Sequence, residues 1–528
     1  MTMLLTTTFT FCTNRIKLFN LLLLFFLLIG LIQSSHAQSK EDALKSFFSA
    51  IDKNGDINGS VLVMEKGKVL FQKSYGYADV QNRIPNTENT LFQLASVSKI
   101  FTAIAILQLN EKKKLRLTDK VAMYFPKFPY PDVSIQQLLS NTSGIPNIDE
   151  ILIEFRQANS DTIFTMHDVI PALLESKLPL NFNAGAGWDY SNTNYVLAAL
   201  LVEKISGEKY GNYLFKNIFK PAGMVATFQR ASGENAYTHA NVAYNYAWPY
   251  ISSPAAVRVD SFAIDYYRIQ YQTLPAEGDA NIYSSVNDLV RFDKALKGGV
   301  LLNKKSMNLL FSPATSIKGR IYSFNGVGSE VGEIGNFYWG CGNRILIDST
   351  YGKIVWYSGG MPGCATNIIS NLSTDQTLIW LDNRESKSAM NNLFGAFYLI
   401  NGVPTAALKA KTHVAVAYAQ TLEHEGADIA FARLTDMVAD TANYILDEDE
   451  FNTLGYEYDG RNLRGLAFEV FRSAISLFPE SDNLYNSYGE LLVKSGKKKE
   501  AVIMYKKSLL LNPENEDSQK SLKQLEDN

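Results

Sequence analysis

The chain has 528 residues, of which 46% are hydrophobic and 20% are charged, and its formal net charge is −3 at pH 7. This length exceeds what one ordinary hydrophobic core supports, so two or more domains are expected. The composition is that of a globular protein, and the slightly acidic balance argues against a nucleic-acid-binding surface.

Residues 1–37 are predicted to be a signal peptide. Arg15 and Lys17 precede an apolar run over residues 18–32, and residues 35–37 (Ser-His-Ala) resemble a cleavage site. The run is shorter than the roughly 20 residues that a membrane-spanning helix needs. We therefore expect export to the periplasm or the cell exterior. Retention of the leader as a membrane anchor is the alternative.

The cysteines and histidines predict no metal or other cofactor. Cys341 and Cys364 remain after removal of the leader, and an exported protein is able to oxidise such a pair. Sequence separation alone does not show whether their geometry allows a disulfide. The remaining histidines are scattered, and no Cys/His spacing matches a metal site.

The predicted secondary structure favours a mixed α+β domain. A β-hairpin is predicted over residues 60–75, and helices are predicted over about 96–113 and 192–205. β-Rich runs separated by turns follow between about 320 and 382. Strands near both ends with helices between them, and no βαβ alternation, indicate the α+β class.

Ser96 and Lys99 form a Ser-x-x-Lys pattern at the start of the first helix. This spacing puts Lys99 one turn along the same face, within reach of the serine hydroxyl. A serine nucleophile needs a base, and Lys99 would be that base if burial made it neutral, or would act electrostatically on another group. The same pattern at Ser206 and Ser495 lies at a helix end and in a repeat turn. Taken alone, Ser96 is also explained as a helix cap with Lys99 in solvent.

Tyr190 and Asn192 precede the second helix and are candidates for the same site. A cation near a phenol favours the phenolate, so Tyr190 beside Lys99 would shuttle the serine proton. Asn192 lies on the same side of an extended segment and would hydrogen-bond Lys99 or a substrate carbonyl. The simpler interpretation is a tyrosine that packs at the edge of the core. The similar pattern at Tyr210 lacks this setting.

The segment Tyr357-Ser358-Gly359-Gly360 follows a β-rich run. With the Ser96/Lys99 and Tyr190/Asn192 patterns, it resembles the serine β-lactamase-related family, which includes class C β-lactamases, D-alanyl-D-alanine carboxypeptidases and related esterases. The resemblance covers about residues 45–400. It implies an antiparallel sheet flanked by helices, with a helical subdomain.

The resemblance also implies roles for individual residues. Ser96 would be the nucleophile, Lys99 and Tyr190 the proton-transfer pair, and Asn192 a substrate and network contact. Tyr357, Ser358 and Gly359 would line the substrate site. The oxyanion hole would correspond to the backbone N–H groups of Ser96 and Gly360.

Two positions depart from the family pattern. Tyr357 stands where the family usually carries His or Lys, which would bind a substrate carboxylate. Tyrosine keeps a donor without the charge, which favours an uncharged ester or amide unless a cation such as Arg384 comes from elsewhere. An aromatic residue packed along a strand is the other interpretation. Asn141 stands where His is common, and we expect it to affect local packing.

Beyond residue 400 the chain is predicted to be helical and repeats with a period of 34. Gly455 matches Gly489 in two units at about residues 448–481 and 482–515. These units resemble the tetratricopeptide repeat. Because about three repeats are usually needed for a stable stack, residues 414–447 are expected to add a degenerate helical pair. The array either packs against the catalytic domain or binds a protein partner.

These observations predict an exported serine hydrolase that forms an acyl-enzyme on Ser96. Its substrate would be an ester or amide, either a β-lactam, a D-alanyl peptide or a small ester. The alternative is a catalytically weak ligand- or peptidoglycan-sensing protein whose repeats bind a partner, but a complete set of four site residues favours an enzyme. The expected layout is a signal peptide (1–37), a catalytic domain (38–400), a linker with a degenerate helical pair (401–447) and repeats (448–528).

Overall fold

The computed structural model describes residues 39–527, except 149, 153–162, 254, 262–276, 315–322, 325–327, 330–331, 334–336, 387, 408 and 410. The predicted signal peptide therefore lies outside the described residues. Within the described part of the chain, no helix has the length and apolar character needed to cross a membrane.

An eight-stranded antiparallel sheet organises most of the chain. Its spatial order is Ser323–Phe324, Phe337–Trp339, Arg344–Asp348, Gly352–Met361, Cys364–Asn371, Gln376–Asp382, Gly59–Glu65 and Lys68–Ser74. The predicted hairpin over residues 60–75 is the pair at one edge. Its first strand, Gly59–Glu65, also pairs with Gln376–Asp382, which is the last of these strands along the chain, and Gly59 lies opposite Asp382. The two ends of this part of the chain are thereby joined.

The two faces of the sheet belong to different hydrophobic clusters. Val61 and Val63 point to one face, and Leu62 and Met64 point to the other, as the strand pleat requires. The helices Lys40–Lys53 and Ala389–Ile400 cover the first face. The second face packs against a larger helical layer.

The helix Lys99–Glu111 lies at the centre of that helical layer. Residues 99–109 are all buried, which explains why the segment is apolar on every side. It packs with the helix Asn192–Ser206, which ends at Gly207 in the left-handed conformation (φ 75°). Both helices therefore have fixed positions in the core.

Shorter elements complete this layer and its edges. The helices are Ile135–Leu139, Val169–Ser176, Tyr210–Leu214, Lys220–Ala222, Val286–Lys297 and Lys304–Leu310, with a π-helical turn at Phe215–Phe219. Single 3₁₀ turns lie at Ala95–Ser98, Val121–Met123, Met166–Asp168, Ala236–Thr238 and Val259–Ser261. Small sheets pair Phe92–Gln93 with Ile282–Ser284 and Phe228–Gln229, Tyr77–Asp79 with Ile84–Pro85, Tyr246–Ala247 with Val257–Arg258, Gly328–Ser329 with Gly332–Glu333, and Thr412–His413 with Tyr444–Ile445.

The C-terminal part is an array of helices. They are Val414–Glu425, Ala427–Ala439, Glu448–Gly460, Arg464–Leu477, Asp482–Lys494, Lys498–Leu511 and Glu516–Glu526. A Cβ atom on Gly455 would lie 2.5 Å from the Phe471 ring, and one on Gly489 would lie 2.7 Å from the Tyr505 ring. The same close helix approach thus occurs twice, 34 residues apart.

The array contacts the rest of the protein at the segment around residue 251. The Ile251 N–H donates to Glu457 Oε2 at 2.9 Å, and Arg461 Nη1 donates to Ser252 Oγ at 3.0 Å. The Arg461 guanidinium also lies 4.7 Å from the centre of the Tyr250 ring. Burial raises the pKa of Glu457 to about 7. Polar groups of the array therefore hold the segment around residue 251.

Candidate active site

Ser96 lies in the 3₁₀ turn Ala95–Ser98, directly before the helix that begins at Lys99. Ala95 is fully buried and has a positive φ of 45°, which is unusual for a residue with a Cβ atom. The Leu94 N–H donates to Ile282 O at 2.8 Å and fixes the entry to the turn. The predicted helix therefore starts three residues later than Ser96, and Ser96 is not its cap.

Lys99 is buried beneath Ser96. Its side chain is 1% exposed, and Nζ donates to Ser96 Oγ at 3.0 Å and to Asp279 O at 3.2 Å. The Asp279 carboxylate lies 3.9 Å from Nζ. The interpretation of Lys99 as a solvated side chain is therefore wrong.

Tyr190 reaches the same hydroxyl from the loop before the second helix. Its hydroxyl hydrogen-bonds Ser96 Oγ at 2.8 Å, and its ring lies 5.0 Å from Lys99 Nζ. The edge of the ring packs against Trp339, with 5.6 Å between ring centres. Ser96 Oγ thus has the Lys99 amino group and the Tyr190 hydroxyl as neighbours.

Asn141 holds the loop that carries Tyr190. Asn141 is buried in the left-handed conformation (φ 55°), and its carbonyl accepts from the Asp189 N–H at 3.0 Å. Its Oδ1 accepts from Asn194 Nδ2 at 2.9 Å, on the far side of Tyr190. This position therefore determines local packing, as expected from the sequence.

The strand Gly352–Met361 forms the opposite wall of the site. A Cβ atom on Gly359 would lie 2.3 Å from Leu94 O and 2.9 Å from the Ser96 backbone nitrogen. Thr366 Oγ1, on the neighbouring strand, donates to Leu94 O at 2.8 Å. The strand is thus held against the serine turn at a distance that only glycine permits. Gly360, the next residue, is exposed at the cleft.

Arg344 places a cation in this wall. It lies on the strand next to Gly352–Met361, opposite Trp356, and its Nη1 donates to Ser358 Oγ. The guanidinium lies 4.6 Å from the centre of the Trp356 ring, and burial lowers the pKa of Arg344 from its usual value. A cleft of about 200 Å³ separates the two walls, and it is lined by Ser96, Lys99, Tyr190, Trp339, Gly342, Asn343, Arg344, Trp356, Ser358 and Gly360.

The profile of the beta-lactamase family matches residues 44–415. The chain belongs to this family. Penicillin-binding protein 4* of Bacillus subtilis (strain 168) is 34% identical over 373 residues, which is 68% of this chain and 78% of that protein. Protein flp of Staphylococcus aureus (strain N315) is 31% identical over 208 residues, covering 38% of this chain and 41% of that protein.

Solved structures have the same fold. The penicillin-binding protein from Bacillus halodurans superposes with a TM-score of 0.54 at 23% identity, covering 67% of this chain and 98% of that one. The D-amino acid amidase from Ochrobactrum anthropi SV3 gives a TM-score of 0.52 at 21% identity, covering 69% and 100%. At these identities the likeness concerns the fold, an antiparallel sheet flanked by helices.

Asn192 does not make the hydrogen bond to Lys99 that was one of its two predicted contacts, and its contact with a substrate carbonyl stays a prediction. Its backbone N–H donates to Asn147 Oδ1 at 3.0 Å, and its own Oδ1 is buried without a hydrogen-bond partner among the described residues. The hydrogen bonds of Lys99 go to Ser96 and to the Asp279 carbonyl. The structure therefore places Asn192 beside the site without the expected hydrogen bond to Lys99.

Tyr357 does not line the cleft of this beta-lactamase-family protein. It is 4% exposed and belongs to the same core cluster as Val355 and Ile368, and burial raises its pKa well above the usual value. Because side chains alternate along a strand, Trp356 and Ser358 face the cleft instead. The prediction of a substrate contact at Tyr357 is thus corrected, and the packed-aromatic interpretation fits its position. Arg384 lies elsewhere, where its Nη2 donates to Gly55 O.

Cys341 and Cys364, the cysteines of the described residues, are both free thiols. Cys364 is buried and donates to Gln93 O at 3.0 Å. Burial raises the pKa of the Cys341 thiol to about 12, so it is neutral at physiological pH. The described residues contain no group of three or more His, Cys, Asp or Glu side chains arranged to hold a metal ion.

Proposed function

We propose that the protein is a serine hydrolase that forms an acyl-enzyme on Ser96. One observation carries this proposal, namely that Ser96 Oγ is hydrogen-bonded by both Lys99 Nζ (3.0 Å) and Tyr190 OH (2.8 Å) at the base of an open cleft. A serine hydroxyl becomes a useful nucleophile when an adjacent group can take its proton. The family relationship supports the same chemistry.

Tyr190 is the proposed proton shuttle. As the phenolate, it takes the proton of Ser96 while Oγ attacks the substrate carbonyl, and it then protonates the leaving group. In deacylation it takes a proton from water and returns one to Ser96. Lys99 provides positive charge that favours the phenolate.

The backbone N–H groups of Ser96 and Gly360 are proposed as the oxyanion hole. The Gly359 backbone lies against the Ser96 nitrogen, so the neighbouring N–H groups belong to one small region of the cleft. One such donor is typically worth about 10²–10³ in rate. These donors would act on the charge that develops when Oγ attacks.

The substrate is proposed to carry a carboxylate near the scissile bond. Tyr357 by itself favours neutral substrates, but Arg344 supplies a guanidinium on the same wall as Ser358 and Gly360. Arginine suits the planar carboxylate group. The relative named penicillin-binding protein 4* is consistent with a β-lactam, which carries such a carboxylate, as substrate.

A substrate panel tests this function. The protein is incubated with a penicillin, a cephalosporin, a D-alanyl-D-alanine peptide, a D-amino acid amide and a short-chain p-nitrophenyl ester, beside the Ser96→Ala variant. We expect turnover that depends on Ser96 and favours the three carboxylate-bearing compounds over the amide and the ester, which lack a carboxylate. Full activity in Ser96→Ala, or no turnover of any compound, would overturn the proposal.

We further propose that residues 1–37 direct export and that the C-terminal helices form a tetratricopeptide-like array. The repeated approach of Gly455 to Phe471 and of Gly489 to Tyr505 supports the array. Gly455→Val and Gly489→Val should each lower the melting temperature by several degrees, whereas Gly465→Val, where a Cβ meets nothing within 4 Å, should not. Equal effects of all three substitutions would contradict this assignment. Cleavage after residue 37 is tested by N-terminal sequencing of the secreted protein.

A further inference from the structure

The side chain of Lys99 lies in a place that is almost closed to water. A buried ammonium is costly unless a partner of opposite charge or several acceptors compensate for the lost hydration. Ser96 Oγ and the Asp279 carbonyl each accept one of its hydrogen bonds. Both acceptors are neutral, so they compensate only part of the charge.

Among the described residues, the Asp279 carboxylate lies close enough to Lys99 to form an ion pair. Its Oδ2 lies 3.9 Å from Nζ, and the aspartate is 6% exposed. At this depth the attraction between the two charges is screened far less than at the surface. The pair therefore has a stronger influence on Lys99 than an exposed ion pair would have.

The chain around Asp279 is fixed against the two central helices. A Cβ atom on Gly278 (φ 96°) would lie 2.2 Å from Tyr195 O, so this close approach requires glycine. Thr102 Oγ1, one turn beyond Lys99, donates to Gly278 O. Asp279 consequently has a defined position relative to Lys99, and its contact with Nζ is part of the packed core.

We infer that Asp279 is a positioning residue that keeps Lys99 protonated and directed at Ser96, so that Tyr190 and not Lys99 accepts the serine proton. This inference rests on the proposed hydrolase function and deepens it. A protonated Lys99 has no lone pair with which to take a proton. Its roles are then to hold Ser96 Oγ and to favour the Tyr190 phenolate.

The other groups around Lys99 do not replace the carboxylate. The rings of Tyr190 and Tyr195 lie 5.0 and 5.7 Å from Nζ and attract it only through their π-electrons. Burial keeps Tyr195 neutral by raising its pKa. Arg344, which lines the same cleft, is itself a cation. Removal of the Asp279 charge should therefore favour loss of the Lys99 proton.

The substitution Asp279→Asn separates the two roles of Lys99. If Lys99 acts as a cation, the variant should acylate at least 10-fold more slowly at pH 7. The alkaline limb of its pH–rate profile should move to lower pH by about one unit or more, because an opposite charge at such a distance shifts a titration by about 1–3 units. If Lys99 were the neutral base, the variant would be faster at neutral pH. That result, or an unchanged alkaline limb, would overturn the inference.

Two further variants control for damage to the fold. Asp279→Glu keeps the charge and should retain the alkaline limb of the wild type even if its rate is lower. Asp119→Asn is the matched control, because Asp119 is also 6% exposed and forms an ion pair with Arg116 at 2.9 Å. It should leave the limb unchanged. Melting temperatures of all variants report whether they are folded.

A measurement without substrate distinguishes this inference from the proposed function. The protein is labelled with ¹⁵N-lysine, the Lys99 ammonium signal is identified by its loss in Lys99→Ala, and pH is raised in the wild type and in Asp279→Asn. The signal should disappear at lower pH in the variant, whether or not any substrate is turned over. Identical titrations would contradict the role of Asp279, whereas absence of Ser96 acylation in the wild type would contradict the hydrolase function alone.

Discussion

The two walls of the cleft are built in different ways. The helical wall takes Ser96 and Lys99 from one continuous stretch of chain, and its lysine is buried in the core. The strand wall takes Ser358 and Gly360 from one strand and Arg344 from its neighbour, and all three are partly or fully exposed. The helical wall is thus suited to hold reacting groups at fixed distances, and the strand wall to contact and select a substrate.

Under the proposed function, this difference assigns proton transfer to the helical wall and substrate selection to the side chains of the strand wall, which also supplies the Gly360 N–H to the oxyanion hole. A change in the helical wall should reduce acylation by every substrate to the same extent. A change in the strand wall should alter the ratio between substrates, unless it moves the serine turn itself. Substitutions at Gly359, Arg344 and Tyr357 test this division, and they are given in order of decreasing effect.

Gly359→Ala should cause the largest loss of acylation rate, because Gly359 lies where the two walls are in contact. The added Cβ would meet Leu94 O and the Ser96 backbone nitrogen, both of which are backbone atoms that cannot rotate away. We expect acylation to fall at least 100-fold for all substrates, in line with the loss of an oxyanion donor. Stopped-flow measurement of acylation by a p-nitrophenyl ester checks this.

Gly360→Ala is the comparison for that variant. A Cβ at Gly360 meets nothing within 4 Å and the N–H is retained. It should cost much less activity than Gly359→Ala. Equal losses would show that the close approach of the strand at Gly359 does not position Ser96.

Arg344→Gln should change selectivity rather than the chemical step. Loss of a hydrogen bond to a charged group is worth about 1.5–3 kcal/mol, which corresponds to a loss of about 10–100-fold. We expect kcat/KM to fall by this factor for a carboxylate-bearing substrate and to change little for a neutral ester. Arg344→Lys should restore part of the difference.

The contradicting result for Arg344 is a parallel loss on both substrates. That outcome would mean that the guanidinium maintains the cleft through its contacts with Ser358 and Trp356. The division between the walls would then have to be abandoned. Steady-state kinetics with matched free-acid and methyl-ester substrates makes this comparison directly.

Tyr357→Phe should have the smallest effect, although the sequence pattern placed Tyr357 in the site. The side chain is buried in the core, so removal of its hydroxyl should leave the substrate ratio unchanged and alter stability only modestly. Thermal denaturation and the same substrate pair report both quantities. A change in the substrate ratio comparable to that of Arg344→Gln would show that Tyr357 reaches the substrate.

The sequence predicted the residues of the helical wall better than those of the strand wall. Lys99 lies one helical turn from Ser96, so local spacing alone brought the two together. The strand residues 354–357 are Ile-Val-Trp-Tyr, all apolar, and such a run gives no alternation from which to decide which side faces the cleft. The strand pleat directs Tyr357 into the core, whereas the sequence pattern predicted that it contacts the substrate.

Arg344 and Asp279 could not be found by their spacing to a motif. Arg344 reaches the site because it pairs with Trp356 across two strands, and that register depends on the intervening turn. Asp279 reaches Lys99 from a segment 180 residues further along the chain. Arg and Asp are common residues, so one sequence does not show which of them lie close together in the fold when they are far apart along the chain.

Covalent labelling of Ser96 is the direct test of the proposed acyl-enzyme. The wild type, Ser96→Ala and Tyr190→Phe are treated with a fluorophosphonate and, separately, with a penicillin, and are then analysed by intact mass and peptide mapping. We expect one adduct on the peptide that contains Ser96 in the wild type, slower labelling in Tyr190→Phe and no labelling in Ser96→Ala. An unmodified wild type, or an adduct that persists in Ser96→Ala, would contradict this proposal.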